Sequence, residues 1–331
     1  MSSPATFDEI ARPTLVLGLV GFSPAAAQKV RERVNGIPVG GVQWRLGNFS
    51  EADAWLVNGE RTRVIAEDEV LVESDAPGEA GVRFWLPQVD RPIAFSRPTE
   101  DFEPAYAFEL DCPSSLPVLL TKFAHLLRPR AMLLYLADLL AQNAPRLRRS
   151  RVYHLMSSHR LVAVVDLLGQ SGVLPAVSLR ELAEAAWVCR PDSAAYLPDS
   201  FARRDTRELM WEFASRSRRQ LLPRRYKGVP LLLRKTPVLP QRLFTDTQLF
   251  ALRELAKGPR SFEQLCASAG FGDTEVERAL SALYLVGAIA NPEKARRRRE
   301  EAPSRWPWMN SEQVAAALKA EMSAPGALAP H

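Results

Sequence analysis

Residues 14–36 read TLVLGLVGFSPAAAQKVRERVNG. Thr14–Val20 is an unbroken apolar run of strand length. Ser23 then suits a helix N-cap and Pro24 its first turn. Ala27, Val30 and Val34 follow at helical spacing until Asn35-Gly36 stops the pattern. A buried strand feeding a helix predicts a small α/β domain on a parallel sheet. Further strands are expected at Val42–Leu46, Ala54–Val57 and Val70–Val72. Val82–Leu86 and Ile93–Phe95 are expected as a last strand and the start of a closing element. Gly18 and Gly21 fit neither a G-x-G-x-x-G nor a P-loop pattern, so they read as packing and turn residues.

In order and spacing, residues 12–110 resemble a response-regulator receiver domain. The resemblance implies acidic residues after the first strand to hold Mg²⁺, yet Gly21, Phe22 and Ser23 stand there. It implies a phospho-accepting Asp at the end of the third strand, where ADAWLVNGE puts Asn58. An amide is no useful nucleophile toward a phosphoryl donor and a weak Mg²⁺ ligand. The Lys-Pro expected after the fifth strand falls near WLPQVDRPI, where Gln88 or Arg91 stands. The resemblance is thus to a degenerate receiver that keeps the fold and loses phosphotransfer; the alternative is an unrelated small α/β domain.

Residues 113–150 read as a helical connector. Leu116, Leu119, Leu120, Phe123, Leu126 and Leu127 line one helix face, Arg128-Pro129 breaks it, and Ala131–Gln142 forms a second helix. This pair joins domains or, alternatively, forms a homodimer through 113–142. Residues 151–225 read as a small α+β unit. Arg151–Met156, Leu161–Leu167 and Gly172–Leu174 suggest a meander; Ser178–Trp187 a helix with an S-x-x-E cap; Thr206–Arg216 another helix. In 226–292, Val229–Leu233 leads in as a strand, Asp246 caps a helix, and two further helices start at Ser261 and at Asp273 or Thr274. That stretch, with its Gly270–Gly272 turn and hydrophobic exit Leu285–Ala290, resembles a winged-helix domain. Its third helix would bring Asp273, Glu275 and Glu277 with one Arg278 toward nucleic acid, a poor set for reading a groove. Residues 293–331 read as a charged, partly disordered tail in which Trp306 and Trp308 are candidates for docking on the protein or a partner.

The 331 residues suit two or three domains, and 47% hydrophobic with 24% charged residues excludes a wholly disordered chain. Three Cys make a disulfide scaffold a poor fit. Neither a signal peptide nor a 20-residue apolar span is recognisable, so the expectation is a cytoplasmic protein without membrane contact. Charge is uneven: residues 1–112 hold 10 Lys/Arg against 18 Asp/Glu, and residues 113–331 hold 33 against 20. The basic residues concentrate in 202–242: Arg203, Arg204, Arg207, Arg216, Arg218, Arg219, Arg224, Arg225, Lys227, Arg234, Lys235 and Arg242. Such a stretch suits duplex DNA, an acidic partner, the chain's own acidic part, or plain solvation. The spacing Arg203…Arg207, if helical, would put two guanidinium groups on one face to clamp phosphate, as cyclic-dinucleotide receptors of the PilZ type do with Arg pairs. The [DN]-x-S-x-x-G that accompanies such pairs is missing.

No catalytic motif is recognisable. His125, His154, His159 and His331 complete no metal spacing with Asp166 or with Cys112, Cys189 and Cys266. The fold expected is α/β plus α+β: a receiver-like parallel-sheet domain, a helical connector, an α+β unit and a winged-helix-like domain. The function expected is a non-enzymatic bacterial signalling adaptor working through a protein partner and needing no cofactor. The alternatives are a DNA-binding transcriptional regulator and a cyclic-dinucleotide receptor.

Overall fold

The computed structural model describes residues 12–34, 38–74, 80–98, 102–144, 147 and 150–291. The expected strand and helix at the start are present as β1 (Thr14–Val20) and α1 (Pro24–Val34). They are followed by β2 (Pro38–Val39), β3 (Val42–Leu46), β4 (Ala54–Val57), β5 (Thr62–Ala66), β6 (Glu69–Val72), β7 (Val82–Trp85), β8 (Ile93–Ser96) and β9 (Ala107–Phe108). One sheet runs β2-β3-β1-β4-β8-β9, with β3, β1, β4, β8 and β9 mutually parallel and β2 an antiparallel edge. Counted along the chain, the five parallel strands lie in the order 2-1-3-4-5.

Both faces of this sheet are covered, which is why its strands read as apolar runs rather than alternations. Leu15, Leu17, Trp44, Ala54, Leu56 and Ala94 share one core with Val30 and Val34 of α1. Val20, Trp55, Val57 and Phe95 pack on the other side against Val70, Val72 and Phe84. That second cover is an antiparallel meander, β5-β6-β7. The strands expected at Val70–Val72 and Val82–Leu86 therefore belong to the meander and not to the parallel sheet. The reason is connection length: two residues, Glu67-Asp68, join β5 to β6, which permits a hairpin, whereas a parallel crossover needs a dozen or more. The fourth and fifth parallel strands are β8 and β9, so the residues after the fifth are Glu109 and Leu110, not Gln88 or Arg91.

Helices α2 (Ser115–Leu126) and α3 (Arg128–Asn143) follow, with Pro129 in the first turn of α3, where its missing N–H costs nothing. Ala131–Leu140 of α3 are all buried. They pack between the parallel sheet and a five-stranded antiparallel sheet ordered β13-β10-β11-β12-β14. Its strands are β10 (Val152–Ser157), β11 (Arg160–Asp166), β12 (Gln170–Val173), β13 (Ala186–Arg190) and β14 (Ala202–Asp205). So α3 leaves no apolar face for a homodimer through 113–142; on α2 only Val118 and Leu126 are exposed large hydrophobic residues.

The helix expected over Ser178–Trp187 is shorter: α4 spans Leu179–Glu184, capped by Ser178, and Ala186–Arg190 pairs with β10 instead. Trp187 and Val188 favour a pleated, half-buried position, and tertiary pairing decides the boundary. α5 (Thr206–Arg216) is capped by Asp205. Next come β15 (Leu232–Leu233), α6 (Asp246–Lys257), α7 (Phe262–Ala269), α8 (Asp273–Leu285) and β16 (Ile289–Ala290). Thr245, not Asp246, caps α6, in a reciprocal capping box with Gln248. β15 lies upstream of these three helices and pairs antiparallel with β16 downstream of them. α5 serves two cores: Leu209, Met210 and Phe213 enter the core around α3, while Trp211 and Ala214 enter that of α6–α8. No helix among the described residues is long and apolar enough to cross a membrane.

Candidate functional site

Open parallel sheets bind ligands in the crevice beyond the strand C-termini, where strand order reverses. Here that place lies between the ends of β1 and β4, and Asn58 fills it. Its Nδ2 donates to the Gly21 carbonyl at 3.0 Å, and its Oδ1 accepts the Glu60 N–H at 3.2 Å and the Ser96 hydroxyl at 3.3 Å. Ser96 Oγ in turn accepts the Gly59 N–H at 3.0 Å. A Cβ placed on Gly21, which has φ of +73°, would meet Val72 Cγ1 at 2.7 Å, so the meander packs directly over the crevice. Ser23 accepts the Ala26 N–H at the start of α1. Arg91, beside β8, lies over the Trp55 ring at 5.0 Å. The crevice holds an amide network where phosphotransfer would need carboxylates.

Charge gathers elsewhere, at the other end of β4. The Asp53 side chain is fully buried. One carboxylate oxygen accepts the Val16 N–H at 2.8 Å, and the two oxygens are bonded to Arg216 and Arg130. Burial alone would raise its pKa, but Arg216 and Arg130 hold it below the usual carboxylate range. The network continues: Arg130 lies 3.6 Å from Glu212, Glu212 accepts from Arg204 at 2.6 Å, and Arg204 Nε lies 3.0 Å from Glu208. It links the parallel sheet, α3, α5 and β14.

Beside it lies a cavity of about 140 Å³ lined by Arg31, Arg45, Leu46, Arg216, Arg218 and Arg278. Its arginines come from α1, β3, the end of α5 and the chain just after it, and α8. Arg216 is held by Asp53 and by the Glu51 carbonyl at 3.3 Å; Arg31 donates to Gln28 at 3.1 Å. Arg45 Nε is sealed from solvent with no hydrogen-bond partner among the described residues. Burial pushes the Arg45 pKa down; Glu51 opposes that, and Arg216, Arg278 and Arg218 add to it.

Five of the twelve basic residues in 202–242, namely Arg203, Arg204, Arg216, Arg219 and Lys227, meet carboxylates among the described residues. Arg203 and Arg204 sit on strand β14 while Arg207 lies on α5, so Arg203 and Arg207 share no helix and the expected helical pair does not form. Arg203 pairs with Asp199 at 3.2 Å, Arg204 with Glu208 and Glu212, and Arg207 is exposed in the first turn of α5. Arg219 bonds Asp138 at 2.5 Å, and Lys227 bonds Glu277 at 2.9 Å. Arg224, Arg225, Arg234 and Lys235 are exposed, Arg225 lying over the Tyr226 ring at 5.7 Å. The structure thus brings Arg216 and Arg218 together with Arg278 of the third winged-helix-like helix and with Arg31 and Arg45, two residues that no local motif marked. At the start of α8, Asp273, Thr274 and Glu275 are exposed, an unfavourable surface for phosphates.

His154 Nε2 bonds the Ala194 carbonyl at 2.8 Å, His159 sits in the tight turn between β10 and β11, and Asp166 is bound by Arg151 at 2.7 Å. No group of three His, Cys, Asp or Glu among the described residues is placed to hold a metal ion. Trp306, Trp308 and the 293–331 tail lie outside the described residues. Comparison of the chain with protein-family models, curated proteins and solved structures finds no match.

Proposed function

We propose that the protein is a non-enzymatic regulatory adaptor of the bacterial signalling type, in which a receiver-like unit works without phosphorylation. The observation that carries this reading is Asn58, whose amide nitrogen and oxygen are both engaged at the end of the central strand. The 2-1-3-4-5 order of parallel strands, an arrangement that receivers share, supports the receiver-like assignment. The meander takes the place of a crossover helix and presents Trp85, 54% exposed, as an aromatic for a partner protein. The winged-helix-like part, bonded to α5, would then act as a fixed interaction module.

Two measurements test this. Intact-protein mass spectrometry after incubation with acetyl phosphate and Mg²⁺ is expected to show no phosphoryl adduct; stoichiometric labelling overturns the reading. Crosslinking in cells, comparing the natural chain with Trp85→Ser, is expected to give a discrete protein adduct that the variant loses. A chain that forms no adduct is not an adaptor acting through this face.

A further inference from the structure

Beyond that reading, and independently of it, we propose that the arginine-lined cavity is a binding site for a small soluble anion carrying two or more phosphoryl charges. Five arginines, Arg31, Arg45, Arg216, Arg218 and Arg278, line one cavity. The nearby carboxylates do not balance them. Asp53 is shared between Arg216 and Arg130, and Glu51 is the acid acting on Arg45. Arginine stays protonated at any physiological pH, so this repulsion cannot be relieved by losing a proton. Arg45, half-buried, also lies in the like-charged field of Arg216, Arg278 and Arg218. A multivalent anion in the cavity supplies what is lacking: negative charge for the cluster.

The geometry also favours binding over mere crowding. Arg45 projects from the interior of β3, opposite Val16 in the parallel sheet. Arg216 is fixed by the buried Asp53. Two of the donors therefore sit on rigid elements before any ligand arrives, which lowers the ordering cost of binding. Guanidinium groups bind phosphoryl oxygens through paired N–H donors, and five arginines around one concave site suit a compact phosphoryl anion. Because Arg45 belongs to the parallel sheet and Arg278 to α8, the anion would bridge the N-terminal and C-terminal parts of the chain.

Pyrophosphate is the probe, titrated by calorimetry into the full chain at low and at near-physiological salt, with thermal unfolding in parallel. The expected result is one site per chain, a Kd on the order of micromolar at low salt, and a raised Tm. Arg45→Gln and Arg278→Gln are each expected to weaken pyrophosphate binding by about tenfold or more. Each should nonetheless unfold, without ligand, at or above the wild-type Tm, because a like-charged neighbour is gone. Arg224→Gln/Arg225→Gln, outside the cavity, should bind as wild type. Arg278, on a partly exposed helix face, keeps the test open should Arg45→Gln fail to fold. Absence of heat and of a Tm shift with wild type overturns the proposal. So does equal weakening by the Arg224/Arg225 variant, which would mean diffuse attraction only. Tight duplex-DNA binding that the cavity variants abolish and pyrophosphate does not displace would overturn it too, and assign the cluster to nucleic acid.

Discussion

Asp53 and Asp138 are both buried carboxylates beside arginine, and their surroundings push them in opposite directions. Asp53 accepts a backbone N–H and faces two guanidinium groups, so its pKa is held down. Asp138 has Arg219, itself 45% exposed, and burial prevails: its pKa is raised. Asp53→Asn should therefore cost about 3–5 kcal/mol at neutral pH, since it leaves the buried Arg216 without its carboxylate and Arg130 with only Glu212 at 3.6 Å. For a carboxyl whose native pKa lies below its unfolded one, the stabilisation is fully present above the unfolded value, near 4, and is lost as pH falls through the native value. Denaturant unfolding across acid pH should show the gap between wild type and Asp53→Asn closing in that window. Asp138→Asn should lie within about 1 kcal/mol of wild type at neutral pH, or above it, because the ionised form is the one burial opposes. A loss of several kcal/mol would mean that the Arg219 bond outweighs burial. Neither carboxylate stood out in the sequence, for Asp53 meets its arginines 77 and 163 positions away.

At the level of elements, α5 carries the most. Leu209, Met210 and Phe213, at helical spacing, form one apolar face and enter the core around α3. What periodicity did not reveal is the second face, where Trp211 is fully buried and donates to the Leu243 carbonyl at 2.9 Å. Trp211→Ala should cost about 3–5 kcal/mol. Hydrogen exchange should show lost protection over α6–α8 at least as strongly as over α5 itself. Protection lost in α5 alone would mean that the two cores do not lean on this side chain. β14 escaped notice for a related reason: ARRD has no apolar alternation, and its place in a sheet comes from pairing with β12.

For the whole molecule, α3 sits between two sheets and α5 enters two cores, so the compact parts share helices rather than meeting at a thin interface. Calorimetry should accordingly record one transition with matching calorimetric and van't Hoff enthalpies. Two resolved peaks would show that the cores unfold separately. The uneven charge along the chain has an internal use here, since Arg130 and Arg216 from the basic part close on Asp53 from the acidic part.

Sequence alone determined the features that depend on neighbours a few residues apart: β1 and α1, the break at Pro129, the Ser178 cap, and Asn58 at the end of β4. Periodicity, turn chemistry and capping are local, so they are written in consecutive residues. Tertiary structure alone decided which strands joined the parallel sheet, which arginines were neutralised and which converged. Guanidinium groups from α1, β3, α5 and α8 share one cavity because long-range packing brings those elements together, and the interactions of a charge depend on distance in space rather than along the chain.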